Sequence, residues 1–408
     1  MIRCRDSSEP RELAVKITSV VGARPQFVKL GMVDLAIRRA VESRDISIEH
    51  RILHTGQHYD VQLSRVFFDE LELPSPDVNL GVGSATHGVQ TGRMLEGLDE
   101  ALRAECPDLV LTYGDTNSTL AAALAAAKLH VPVAHVESGL RSFDKRMPEE
   151  VNRVVTDHVS TLLYCPTMTA VANLESEGLG ERATEGLYGL GDAGRLPPAT
   201  SDAPWLLNVG DVMYDSVLHH VERASSTISQ EIEDLAASDH AIMTVHRAEN
   251  TDDPSRLNAI LRAAERIADE HKLRVLFPAH PRTSAAIQKL PTHRDLVGVH
   301  VFDPVSYYDM LILLRSARIA LTDSGGVQRE AFMLGRPCVT LRDRTEWVEL
   351  LESGLSALGG AEEDRIVETA RRLLAEEPGA MASSPYGDGN AADRIVEVAL
   401  AWRDGASG

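Results

Sequence analysis

Short apolar runs alternate with longer helix-forming stretches along most of the chain, the pattern of βαβ units that build a parallel sheet. Residues 14–21, 48–54, 109–113, 133–136 and 161–165 read as strands in the first half. Residues 241–245, 273–277, 297–302, 319–322 and 337–341 do so in the second. Helices are expected over 88–103, 118–129, 254–270, 307–316 and 391–402, with others opening at Pro148 and after Gly326. The stretch 118–129 is dominated by Ala and Leu, the strongest helix formers, and His130-Val131-Pro132 ends it. The expected fold class is therefore α/β, with parallel strands in both halves of the chain. Residues 178–204, rich in Gly, Pro and small polar residues, read as the boundary. They divide a first domain (13–204) from a second (205–385). The last helix follows a Ser/Pro/Gly linker and is assigned back to the first domain, which 386–408 completes. Residues 1–12 read as an unstructured leader.

The chemistry gathers where strands end. Ligands of open α/β sheets bind outside the carboxyl ends of the strands. Asp115 falls just past the strand 109–113, and Glu137 just past 133–136. Pro148 suits the first turn of a helix, on which Glu149, Asn152 and Arg153 share one face. Each acid has an ordinary role open to it, as helix cap, turn residue or first-turn acid. Two strand-end acids on one ligand edge favour a site instead.

Near the N-terminus, Gly22-Ala23-Arg24-Pro25 leads from a strand into a helix, so Arg24 stands beside free backbone N–H groups that favour anions; Lys29 follows. Ser324-Gly325-Gly326 sits between an apolar strand and a helix, where two glycines let the backbone approach a phosphate. Glu330 follows one turn later, within reach of ribose hydroxyls. His246 lies at another strand end. The run 81–88 (GVGSATHG) lacks the third glycine of a dinucleotide fingerprint at the required spacing, and no strand is read before it.

Composition narrows the field. The chain has 408 residues, enough for two cores, with 43% hydrophobic and 25% charged residues. A net charge of -20 argues against nucleic-acid binding through a broad basic surface, and no nucleic-acid partner is expected. No apolar run approaches a membrane span and the first residues lack a signal-peptide core, so a cytoplasmic protein with no membrane partner is expected. Cys4, Cys106, Cys165 and Cys338 have no paired spacing, and no metal site is expected.

From about residue 15 to 400 the chain resembles the non-hydrolysing UDP-N-acetylglucosamine 2-epimerases. The residues that carry the resemblance are Gly22-Ala23-Arg24-Pro25, Lys29, Thr55-Gly56-Gln57-His58, Gly114-Asp115-Thr116, the run His135 to Arg141 (HVESGLR), Pro148 to Arg153 (PEEVNR), His246 to Asn250 (HRAEN), and Asp323-Ser324-Gly325-Gly326 through Glu330. The resemblance implies a GT-B architecture, two Rossmann-like doubly wound domains with the active site in the cleft between them, often a homodimer, and a UDP-sugar as partner. It implies elimination of UDP across C1–C2 to a 2-acetamidoglucal, reprotonation of C2 on the other face and re-addition of UDP, without NAD or metal, so no cofactor is expected. It makes Asp115, Glu137 and Glu149 the acid/base candidates, with Arg153 among them. His246 would contact or protonate the diphosphate, and Arg24 and Lys29 would help to hold it. Ser324, Gly325 and Gly326 would bind phosphate, and Glu330 the ribose.

The chain also departs from the family. Gln26 stands where the bacterial members usually have Glu, Tyr59 where Arg often follows the Gln-His pair, and Trp347 where Arg-Pro follows Thr-Glu. Some bacterial members bind a second UDP-sugar as an activator near the Gln-His segment, and Tyr59 and Asp60 alter that context. The Trp347 variant resembles a subgroup in which some members act on UDP-2,3-diacetamido sugar acids. UDP-N-acetylglucosamine epimerisation is the leading expectation. The alternatives are a UDP-2,3-diacetamido-glucuronate epimerase and a GT-B glycosyltransferase, with a non-catalytic UDP-sugar sensor last.

Overall fold

The computed structural model describes residues 14–44, 47–57, 73–179, 199–224, 228–290, 296–376 and 384–406. They form two compact units. One holds the described residues up to Ser216 together with those from Ser384 onward, and the other those from Val217 to Ser383. The expectations for residues 1–12, for Tyr59 and Asp60, and for most of 178–204 lie outside the described residues.

The first unit is built on seven parallel strands: β1 (Val15–Val21), β2 (Ile48–His54), β3 (Val78–Asn79), β4 (Leu109–Tyr113), β5 (Val133–Val136), β6 (Leu162–Cys165) and β7 (Trp205–Asn208), in the order β3-β2-β1-β4-β5-β6-β7. Every residue of β4, β5 and β6 is buried, as expected of parallel strands covered by helices on both faces. The second unit has six, β8 (His240–Thr244), β9 (Arg274–Pro278), β10 (Val299–Phe302), β11 (Ile319–Thr322), β12 (Cys338–Thr340) and β13 (Ser356–Leu358), in the order β10-β9-β8-β11-β12-β13 and again all parallel. In both sheets the order reverses beside the first strand, between β1 and β4 and between β8 and β11. That switch point is where a doubly wound sheet opens a crevice for ligand.

Two features differ from the sequence reading, the edge strand of the first sheet and a short strand before the run 81–88, while the last helix lies where that reading assigned it. Trp205–Asn208, placed in the second domain by a boundary at 204, is the edge strand of the first sheet, paired from Leu162↔Trp205 to Cys165↔Asn208. The division between the units accordingly falls after Ser216. A two-residue strand, Val78–Asn79, does precede the run 81–88, although the helix His87–Glu105 opens only several residues later. The last helix, Ala391–Ala406, belongs to the first unit: Ala392 N donates to Asp215 Oδ2 (2.7 Å), Arg394 to the Val209 carbonyl (3.2 Å), and Tyr164 OH to the Ile395 carbonyl (3.1 Å).

Among the described residues, no helix is long and apolar enough to cross a membrane, and no cluster of three His, Cys, Asp or Glu is arranged to hold a metal ion.

Candidate active site

In the first unit the site residues stand at the carboxyl ends of β1, β4 and β5. Gly22 follows β1 because nothing larger fits: an added Cβ would lie 2.1 Å from both Ser118 Oγ and Thr55 Oγ1. The turn after β4 needs Gly114 for its backbone, at φ +64°. The helix Asn117–Lys128 is capped by Thr116, whose side chain exchanges hydrogen bonds with Thr119 in a capping box. Asp115 is therefore not the cap. Its carboxylate accepts from Arg153 Nη2 at 2.5 Å, and its side chain is 29% exposed. Asn152 donates to the Asp115 carbonyl at 2.9 Å. Two residues of the helix Pro148–Val159 thus fix the Asp115 turn.

Glu137 sits past β5 in a conformation that non-glycine residues rarely adopt, φ +76°, and is only 8% exposed. Strained backbone of this kind clusters at functional sites. Its carboxylate forms a buried ion pair with the Lys29 ammonium, and a Cβ built on Gly114 would lie 3.4 Å from that same Lys29 Nζ. Beneath both turns lies a fully buried pair. His135 Nδ1 meets Asp157 Oδ1 at 2.6 Å, and Nε2 meets the Gly114 carbonyl at 2.7 Å. The other Asp157 oxygen accepts from Arg141 Nη1 (2.7 Å) and Gly139 N (3.1 Å). Burial alone would raise the Asp157 pKa, but His135 and Arg141 outweigh it and hold the carboxyl below its ordinary value. The turns carrying Asp115 and Glu137 are thereby tied to one charged anchor.

In the second unit, β8 and β11 deliver His246 and the Asp323 turn side by side. Asp323 is wholly buried and accepts from His246 N (3.1 Å), Arg247 N (3.0 Å) and Asn250 Nδ2 (3.0 Å). Its burial would raise its pKa, but the His246 ring and these hydrogen bonds hold it low. The His246 ring, Nδ1 3.2 Å from Asp323 Oδ1, leaves 52% of its side chain exposed. Ser324 caps the helix Gly325–Met333 through Val327 N (3.4 Å), so Gly325 and Gly326 supply its first N–H groups. Trp347 Nε1 and Glu346 Oε1 close in on Gly325: they would lie 3.4 and 3.2 Å from an added Cβ. Glu330 is 6% exposed on the same helix.

Lys29, expected to help hold a diphosphate, is instead committed to Glu137. Glu149 is half-buried and makes no hydrogen bond or ion pair among the described residues; its neighbour Glu150 is the acid that engages Arg153 (2.8 Å). The side chains of Arg24 and His58 lie outside the described residues. Gln57 Oε1 accepts from Ser118 N (3.1 Å) and Ser118 Oγ (2.7 Å). Sequence reasoning missed the roles of Glu150, His135 and Asp157. Glu150 had a signal, its i, i+3 spacing to Arg153; the buried pair had none.

The family described as UDP-N-acetylglucosamine 2-epimerase matches residues 39–400. The chain is 46% identical over 387 residues to the UDP-2,3-diacetamido-2,3-dideoxy-D-glucuronate 2-epimerase of Pseudomonas aeruginosa, covering 94% of this chain and 99% of that one. It is 37% identical over 395 residues to the UDP-N-acetylglucosamine 2-epimerase of Methanocaldococcus jannaschii, covering 94% and 98%. A crystal structure of the M. jannaschii UDP-GlcNAc 2-epimerase in complex with UDP-GlcNAc and UDP aligns with a TM-score of 0.80 at 36% identity, covering 95% of this chain and 99% of that one. The Neisseria meningitidis UDP-GlcNAc 2-epimerase bound to UDP-GlcNAc aligns with a TM-score of 0.79 at 28% identity, covering 95% and 100%. Two parallel doubly wound sheets, acids and basic residues at their switch points and similarity along nearly the whole chain lead to one assignment: the chain belongs to the UDP-N-acetylglucosamine 2-epimerase family, of the non-hydrolysing type and GT-B-like fold, and is a nucleotide-sugar 2-epimerase.

Proposed function

We propose that the protein epimerises C2 of a UDP-2,3-diacetamido-2,3-dideoxy-glucuronate. The observation that carries this reading is the 46% identity to the P. aeruginosa enzyme of that name, against 43% to a methanogen protein named as a UDP-N-acetylglucosamine 2-epimerase homolog and 37% and 35% to two methanogen enzymes named for UDP-N-acetylglucosamine. Trp347 supports it. This residue stands where the family usually has arginine, and the Arg329 guanidinium stacks over its indole, 4.0 Å from the ring centroid. Arg329 thus places a cation beside the turn assigned to phosphate.

In the reaction a base removes the C2 proton, the C1–C2 double bond forms, and the C1–O bond breaks anti to it with release of UDP. A proton is then delivered to the opposite face of C2 and UDP adds back at C1. The C2 proton is weakly acidic beside a neutral amide, so placed acid/base groups and stabilisation of the departing diphosphate must lower the barrier. Asp115, Glu137 and Glu149 are assigned to proton transfer. Arg153 holds Asp115, and Lys29 holds Glu137. Ser324, Gly325, Gly326, His246 and Arg24 take the diphosphate, and Glu330 the ribose.

UDP-N-acetylglucosamine is the second reading, favoured by the two methanogen relatives. A proton NMR time course in deuterium oxide with each sugar nucleotide separates the two. Loss of the C2 proton signal and a new C2 epimer are expected with the diacetamido sugar acid. Turnover of UDP-N-acetylglucosamine with none of the sugar acid would overturn the first reading in favour of the second.

A further inference from the structure

Glu150 is 2% exposed, yet its carboxylate is saturated with donors: Arg153 Nη1 at 2.8 Å, Ser142 N at 2.9 Å, Ser142 Oγ at 3.0 Å and Phe143 N at 2.9 Å. Every partner donates, so the acceptor positions of the carboxylate are filled. Arg153, itself 2% exposed, is shared between this acid and Asp115, whose oxygen lies 2.5 Å from the other guanidinium nitrogen. The two acids differ in surroundings. Glu150 is sealed among backbone and hydroxyl donors, while the Asp115 side chain remains 29% exposed.

This asymmetry has a chemical consequence. An acid that takes up and returns a proton must spend part of each cycle neutral. Were Asp115 the sole partner of Arg153, its neutral form would strand a buried guanidinium, which is strongly unfavourable. We propose that Glu150 is the permanent counter-ion of Arg153, a positioning residue that lets Asp115 give up its charge during turnover without leaving a buried cation unpaired. The same carboxylate pins the loop between Glu137 and the helix Pro148–Val159, where Phe143 is held at φ +55°. The proposal rests on the reading of Asp115 as an acid/base group.

Other charged groups around the Asp115 turn come from several elements. Lys29, paired with Glu137, stands beside Gly114, and His135, paired with Asp157, contacts the Gly114 carbonyl. His87 reaches the turn through Asn117, which accepts from Asn152. None of these contacts involves Glu150. Glu150→Gln removes the charge and also one acceptor, since its NH2 must face either Phe143 N or Arg153, so any loss of stability is read apart from the position of the limb.

The test is the pH dependence of kcat for the wild type, Glu150→Gln, Glu150→Asp and Asp115→Asn, with UDP affinity and the thermal midpoint measured on the same preparations. In Glu150→Gln, Asp115 alone of these two carboxylates is left to Arg153. The acidic limb of the profile should then move down by about one pH unit and kcat fall roughly tenfold or more, with KM and UDP affinity held within about threefold. A purely structural role would lower the thermal midpoint and leave the limb in place, and that result would overturn the proposal. Glu150→Asp keeps the charge: its limb should stay at the wild-type position, and a displaced limb there would also overturn the proposal. Should Glu150→Gln fail to fold, Glu150→Ala, which removes the charge without setting a new donor against Phe143 N, is held to the criterion given for Glu150→Gln. An active Asp115→Asn would remove the reading beneath the proposal and the proposal with it. An inactive Asp115→Asn beside an unaltered Glu150→Gln would remove the proposal alone.

Discussion

The Gln26 side-chain amide joins two ligand-edge turns: Nε2 donates to the Tyr113 carbonyl at 2.7 Å, while Oε1 accepts from Gly22 N at 2.8 Å and Ala23 N at 3.0 Å. Nε2 also donates to Thr119 Oγ1 (3.0 Å), so all four hydrogen-bonding capacities of the amide are used at 1% exposure. The bacterial members that the chain resembles usually have Glu here. In this chain an ionised Glu would keep the contacts to Gly22 and Ala23 but set lone pairs against the Tyr113 carbonyl. Gln26→Glu should therefore destabilise the fold by roughly 1–3 kcal/mol at pH 8. The loss should shrink towards pH 5, where a protonated carboxyl can donate as the amide does. Thermal unfolding across that range measures it, and a pH-independent difference from the wild type would refute the account.

Lys29 offers a choice between two roles that stability and binding measurements separate. Removing one member of a buried ion pair leaves an uncompensated charge, at a cost of roughly 3–5 kcal/mol. Lys29→Met should lower the unfolding midpoint sharply and change UDP affinity by less than about threefold. Adding Glu137→Gln should restore much of the lost stability, because the stranded carboxylate is gone. A variant that unfolds normally but no longer binds UDP would return Lys29 to the diphosphate.

Asp215 makes the attachment of the C-terminal helix sensitive to pH. Burial pushes its carboxyl up to about 6, against the opposing hydrogen bond from Ala392 N. An acid raised on folding holds its proton more tightly in the folded chain. Its contribution to stability is complete below the unfolded value near 4 and disappears as pH rises through about 6. The first unit should therefore lose stability across that window, by up to about 3 kcal/mol. Asp215→Asn keeps an acceptor for Ala392 and cannot ionise. It should flatten the window and exceed the wild type in stability at pH 8. Equal pH dependence in the two proteins would dismiss Asp215 as the titrating group.

The strand-end acids were legible in the sequence because apolar runs fix where strands stop, and a doubly wound sheet places those ends at the ligand edge. Asp115 and Glu137 needed no more than that. Glu149 and Glu150 are harder to tell apart. Adjacent helical residues point about 100° apart, and which one turns inward depends on how the helix is seated against β5 and the helix Asn117–Lys128. The edge strand Trp205–Asn208 was lost for another reason: four residues after a Gly/Pro-rich loop read equally well as the start of a new domain. Lys29 with Glu137, and His135 with Asp157, are pairs between elements far apart in the chain, and no local pattern announces a partner of that kind.

Glu330 provides a test of the nucleotide end of the site that is independent of the carboxylates in the first unit. It lies one turn into the helix that Ser324 caps, 6% exposed, on the element whose first N–H groups are assigned to phosphate. A carboxylate there suits a pair of ribose hydroxyls, and hydrogen bonds to a charged group contribute roughly 1.5–3 kcal/mol. Glu330→Ala should weaken UDP binding by about 10- to 100-fold, as read by titration calorimetry with UDP alone. The unfolding midpoint should be followed in parallel, because the side chain is buried and its removal also affects packing. Glu330→Gln, nearly the same in shape but uncharged, should fall between the wild type and the alanine variant if charge strengthens the contact. UDP affinity unchanged in both variants, with the fold intact, would reject the ribose assignment and leave Glu330 as a packing residue of the second unit.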